Sequence, residues 1–113
     1  MNYLNRLTKE ASKSTHRYQH ATLLCRGGSI VACACNRPGV HSEIAALNKV
    51  KRGKRKGLTF INIRIKKDGS LGISYPCAAC RKRFKAEGIV RGFCVTGGPI
   101  RTWHASLLEE IRI

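Results

Sequence analysis

The stretch L-T-F-I-N-I-R-I, residues 58–65, limits what the chain can fold into more than any other. It is β-branched, apolar and partly alternating, which predicts a strand. Helical patterns flank it on both sides. Residues 2–14 carry Leu4, Leu7 and Ala11 at helical spacing. From His41, H-S-E-I-A-A-L-N-K-V predicts a helix with Ile44, Leu47 and Val50 inward, stopped by G-K-R-K-G. Between them, A-T-L-L-C-R, Gly27-Gly28 and S-I-V-A-C-A-C predict a β-hairpin. Asn36-Arg37-Pro38-Gly39 is a loop by its turn residues.

Downstream, Lys67-Asp68-Gly69 is a turn and S-L-G-I-S leads back. Pro76 suits the first position of a helix that runs to about Ala86, with Gly88 closing it. I-V-R-G-F-C-V-T predicts a strand, and Gly97-Gly98 a tight turn into a last strand, P-I-R-T-W. The tail S-L-L-E-E-I-R-I fits a short helix or a strand. Strands alternating with helices predict one α/β domain over residues 1–113, with helices on the faces of a single sheet.

Charge sets the partners. The chain has 22 Lys and Arg against 6 Asp and Glu, a formal net charge of +16. Basic residues peak in K-V-K-R-G-K-R-K, Lys49 to Lys56, and R-K-R-F-K, Arg81 to Lys85. A field of this sign attracts polyanions, and nucleic acid is the expected one. No apolar run approaches the roughly 20 residues of a membrane span. The N-terminus M-N-Y-L-N-R-L-T-K-E lacks an apolar signal core. These features predict an intracellular protein, in the cytoplasm or, in a eukaryote, the nucleus, with no membrane partner.

Without an export signal, the six cysteines do not imply a disulfide framework. Two of them stand in P-C-A-A-C, residues 76–80, and a pair at that spacing can grip a metal. Zinc takes four donors in a structural site, or three and a water in a catalytic one. Two completions lie upstream. Cys33 and Cys35 would give four thiolates, but they fall in what reads as a core strand, where small buried cysteines need no metal.

His41 would give one imidazole and two thiolates, leaving the fourth position open. Both half-motifs fall at predicted helix starts, where partial positive charge favours thiolate. Glu43, two residues past the histidine, is poorly placed to be a ligand. It is well placed to take a proton from a metal-activated water.

H-S-E at 41–43 followed by P-C-A-A-C at 76–80 resembles the zinc-dependent cytidine deaminase superfamily, whose signature is H-x-E then P-C-x-x-C. The similarity runs from about residue 20 to residue 104. The N-R-P and H-x-E-I-x-A-L stretches are similar to the tRNA adenosine deaminases, whereas K-K-D-G-S-L-G-I-S-Y-P-C is similar to small cytosine-type deaminases.

The resemblance implies a three-layer α-β-α fold around a mixed five-stranded sheet. It implies that His41, Cys77 and Cys80 hold one zinc ion and that Glu43 shuttles protons. The C4 amino group of cytosine is then replaced by a water oxygen, giving uracil and ammonia. It implies that Asn36 bonds the substrate sugar and that the backbone around Ser42 and Pro76 helps bind the base. Ser42 stands where alanine is commoner in the family.

Within that family the last two strands are antiparallel in free-nucleoside deaminases, and parallel in tRNA, deoxycytidylate and polynucleotide types. A parallel pair needs a crossover of about a dozen residues or more, which the Gly97-Gly98 turn does not supply. The expected last pair is therefore antiparallel, which favours cytosine chemistry. Charge favours a polymer, because a free nucleoside offers nothing to match +16. Arg26, Arg37 and Arg101 are candidates for the entrance, and Tyr75 and Trp103 for stacking a base.

The preferred substrate is thus single-stranded DNA or RNA, as in C-to-U editing. The alternatives are a free cytidine or deoxycytidine nucleoside or nucleotide, and a non-catalytic basic nucleic-acid-binding module with a structural zinc. Small members of the family associate, so a homo-oligomer is a further expectation from the resemblance.

Overall fold

The hairpin forms where the two glycines stand. In the computed structural model, which describes residues 3–96 and 108–113, β1 (Gln19–Arg26) pairs antiparallel with β2 (Ser29–Cys35). Gly27 at φ +58° makes the turn, a backbone conformation that side-chain-bearing residues avoid. β1 also pairs antiparallel with β3 (Thr59–Ile65), the strand read from L-T-F-I-N-I-R-I. β4 (Arg91–Cys94) adds to β3 in parallel, and β5 (Glu109–Arg112) closes the edge antiparallel to β4. The result is a mixed five-stranded sheet in the order β2-β1-β3-β4-β5.

Strand alternation divides the apolar residues into two cores. Leu23, Cys25, Cys33, Ile61 and Ile63 bury one face together with Leu7 and Ala11 of α1 (Tyr3–Ala11). Leu24, Ala32, Ala34 and Phe60 bury the other with Ala46 and Leu47 of α2 (Ser42–Leu47), and with Phe84 of α3 (Ala78–Ala86). Phe60 and Phe84 are fully buried with ring centroids 5.0 Å apart. Each such ring contributes about 2 kcal/mol through burial. β4 comes so close to this pair that a Cβ on Gly92 would lie 2.4 Å from the Phe60 ring.

Several expectations change. The expected antiparallel relation does not extend to β3 and β4, which run parallel because α3 supplies the crossover between them. The antiparallel relation at the end of the sheet belongs to β4 and β5. The fifth strand is not P-I-R-T-W, which lies outside the described residues, but Glu109–Arg112 in the tail. There the Arg91 guanidinium pairs with Glu110 at 2.6 Å across the strands.

The segment after the Lys67-Asp68-Gly69 turn is not a strand. It keeps one isolated bridge, Leu71 to Ile65, and then crosses toward β4, where Ser74 N–H donates to the Val95 carbonyl at 2.8 Å. Pro76 lies before α3 rather than inside it; Cys77 is the N-cap.

The basic run at 49–56 is partly structural. Arg55 is buried, donates Nε–H to the Val50 carbonyl at 2.9 Å and pairs with Glu87 at 3.1 Å. Arg26 does not reach the entrance; its guanidinium donates to the carbonyls of Lys54 and Lys56. No helix among the described residues is long and apolar enough to cross a membrane.

Candidate metal centre and pocket

The two half-motifs adopt the same local geometry. His41 caps α2 at φ −68°, ψ 151°, and Cys77 caps α3 at φ −66°, ψ 164°. Neither cap side chain bonds its own helix, so both are available to each other. Their carbonyls still start the helices, accepting from Ala45 N–H and Arg81 N–H. Cys80, one turn into α3, brings its sulfur to the same point.

His41 Nδ1 lies 3.6 Å from Cys77 Sγ and 3.4 Å from Cys80 Sγ. The three ligand atoms all fall within 4.8 Å of one another, so the group could hold a metal ion. A tetrahedral zinc with ordinary Zn–N and Zn–S bonds sets nitrogen and sulfur about 3.5 Å apart. The spacing therefore fits zinc. Burial, then the Glu43 carboxylate and Cys77, push the Cys80 thiol well up. A cation between these groups offsets that cost and favours the thiolate.

Cys33 and Cys35 take no part; both are buried in β2. Burial also pushes up the Cys25 and Cys33 thiols, and Cys94 to about 11. These are core thiols, and all six cysteines are free of disulfides.

Glu43 is buried beside the centre, and both its oxygens are held. Ser42 Oγ–H donates to Oε1 at 3.1 Å, and Asn62 Nδ2 donates to Oε2 at 3.3 Å. Asn62 is held in turn: its Oδ1 accepts from Thr22 Oγ at 2.6 Å, and its Nδ2 also reaches the Ser74 carbonyl at 3.3 Å. The Thr22 and Ser42 hydroxyls lie 2.8 Å apart, so buried polar groups of β1, α2 and β3 gather around the carboxylate. Ser42 thus uses its hydroxyl where an alanine would have none.

A pocket of about 380 Å³ opens over the centre, and His41, Ser42, Glu43 and Cys77 lie along it. That volume suits a small ligand. Asn36 and Arg37 line it too. The Asn36 amide accepts from His20 N–H at 2.9 Å and donates to the Tyr18 carbonyl at 2.7 Å, which ties the ends of β1 and β2 together. Tyr75 lines the pocket with 43% of its surface open, and the Arg81 guanidinium lies over its ring at 5.1 Å.

Pro76 is buried behind this wall rather than lining it. Trp103 and Arg101 lie outside the described residues.

Sequence reasoning missed the rest of the mouth. His16, Tyr18 and His20 line the pocket from the approach to β1. Tyr18 is exposed, with the Arg64 guanidinium 5.0 Å and that of Arg17 5.6 Å from its ring. Burial, then the charge of Arg64, hold the His20 imidazole down to about 4. No motif marks these residues; only the pairing of β1 with β3 gathers them. Asn62 did leave a signal: an asparagine inside an apolar strand must find a partner when buried.

Comparison of the chain with protein-family profiles, with curated proteins and with solved structures gives no match.

Proposed function

We propose that the protein is a zinc-dependent hydrolytic deaminase that converts cytosine to uracil in single-stranded nucleic acid. The observation that carries the proposal is the meeting of His41, Cys77 and Cys80 at a pocket that His41, Cys77 and a buried Glu43, hydrogen-bonded at both oxygens, line together. Helices on both faces of the sheet are compatible with the three-layer arrangement of cytidine deaminases.

His41, Cys77 and Cys80 would hold the zinc, which when bound would supply Lewis-acid activation of water. Glu43 would accept a proton from the attacking water and pass it to the ring nitrogen, then to the leaving amine. One C–N bond breaks, one C–O bond forms, and ammonia departs. Ser42 and Asn62 keep the carboxylate aimed during both transfers. Asn36 retains one amide hydrogen beyond its bond to Tyr18 and offers it to the sugar. Tyr75, backed by Arg81, stacks the base.

The charge of +16 favours the polymer, as do the arginine-backed tyrosines at the mouth. The antiparallel β4–β5 pair favours the second reading, a free cytidine or deoxycytidine nucleoside or nucleotide.

The test is incubation of zinc-loaded protein with labelled single strands and with free nucleosides, at low and moderate salt. Uracil in the strand, lost in Glu43→Gln at equal zinc content, is the expected result. Uracil from the monomer alone would select the second reading. Absence of uracil from every substrate would reject the enzyme.

A further inference from the structure

His16, Tyr18 and His20 line the pocket, and Arg17 and Gln19 line a neighbouring basin of about 260 Å³; the Arg17 guanidinium also lies 5.6 Å from the Tyr18 ring. Gln19 pairs with Ile65 in the sheet, which brings the start of β1 beside the end of β3. The two residues after that end, Lys66 and Lys67, form the far wall of the basin. His16 belongs to both cavities and joins them. Gly72 permits the arrangement, since a Cβ there would come within 3.1 Å of the Lys66 stem and 3.2 Å of the Arg64 stem.

The basic charge here outweighs the acidic. Among the described residues, Arg17, Arg37, Arg64, Lys66 and Lys67 form no ion pair. Glu10, Glu87 and Glu110 pair with cations elsewhere, and Glu109 accepts from Thr96. Asp68 follows Lys67 in the chain; its Oδ1 accepts from the hydroxyl and N–H of Ser70, and its charge offsets part of that of Lys66. Three cations around one basin, opening onto a pocket sized for a small ligand, match a phosphate better than a neutral group.

We infer that the basin of Arg17, Lys66 and Lys67 binds a phosphate covalently attached to the nucleoside whose base occupies the pocket. The inference rests on the proposed base-binding role of that pocket. The phosphate comes either from a nucleoside monophosphate or from the phosphodiester of a strand.

The test is titration calorimetry on a Glu43→Gln background. The ligands are cytidine, cytidine monophosphate and a short cytosine-containing single strand without terminal phosphates. The Arg17→Ala/Lys66→Ala/Lys67→Ala combination is expected to weaken the phosphate-bearing ligands at least about tenfold and to leave cytidine unchanged. A Lys82→Ala/Lys85→Ala control on α3 is expected to change nothing.

Loss with the monophosphate shows that a single phosphate suffices. Loss with the strand alone assigns the basin to a phosphodiester. Unchanged binding of both, or an equal loss in the control, overturns the subsite. Turnover is scored separately on the protein with Glu43 intact. Binding loss without uracil formation would keep the subsite and reject the deaminase; uracil formation with unchanged binding would do the reverse.

Discussion

Asn62, at the centre of β3, donates a hydrogen bond of 3.3 Å to the carboxylate of Glu43, at the start of α2. A strand thereby holds in place a carboxylate carried by a helix. Replacing Asn62 with alanine frees one carboxylate oxygen and leaves Thr22 short of an acceptor. Under the proposed chemistry, kcat should fall by about tenfold or more while KM stays within about twofold. Steady-state kinetics checks this. A parallel rise in KM would make Asn62 a structural residue only.

Ser42→Ala removes the bond to the other oxygen but keeps the backbone of the helix start. The expected loss in kcat is smaller, about threefold to tenfold, because Asn62 still holds Oε2. The double variant should lose more than either single one, and a double-mutant cycle measures the coupling.

Gly92→Ala tests the packing of β4. The added methyl would sit 2.4 Å from the fully buried Phe60 ring, which is packed against Phe84. A loss of about 2 kcal/mol or more in denaturant unfolding is expected. An unchanged midpoint would mean that Phe60 repacks freely against Phe84.

His20 gives a pH dependence. Its folded pKa of about 4 lies below the ordinary 6.5, so the unfolded chain binds the extra proton first. The stability is fully present above about pH 6.5 and is lost as pH falls toward 4. After discounting for partial exposure, the loss is about 2 kcal/mol. A His20→Gln variant should show a flatter melting profile between pH 7 and 4.5. Parallel profiles would contradict the assignment. The neighbouring His41 and His16 imidazoles act in the same direction as Arg64.

The candidate metal site was legible because its residues come in short local motifs. Cys77 and Cys80 share one helix start, and His41 and Glu43 share another, so spacing alone brought out the pattern. The hairpin and β3 were legible from glycines and β-branched alternation.

What was not legible depends on contacts between distant segments. Residues 109–112 read E-E-I-R, with two acids and little strand propensity; they join the edge through pairing with β4 and the Arg91–Glu110 contact. The tight glycine turn drew the expected fifth strand to residues 99–103 instead. Tyr18 and His20 carry no pattern of their own and acquire a role through register with Arg64. Arg55 reads as one more charge in a basic run, and only its burial against Glu87 reveals a structural pin.

The central claim is a single metal held by one imidazole and two thiolates with its fourth position open. Zinc K-edge X-ray absorption on the purified protein tests it most directly. The account predicts about one zinc per chain, with two sulfurs near ~2.3 Å and two lighter atoms near ~2.0 Å, one of them imidazole nitrogen. A shell of four sulfurs, or zinc retained in full by His41→Ala, would contradict it.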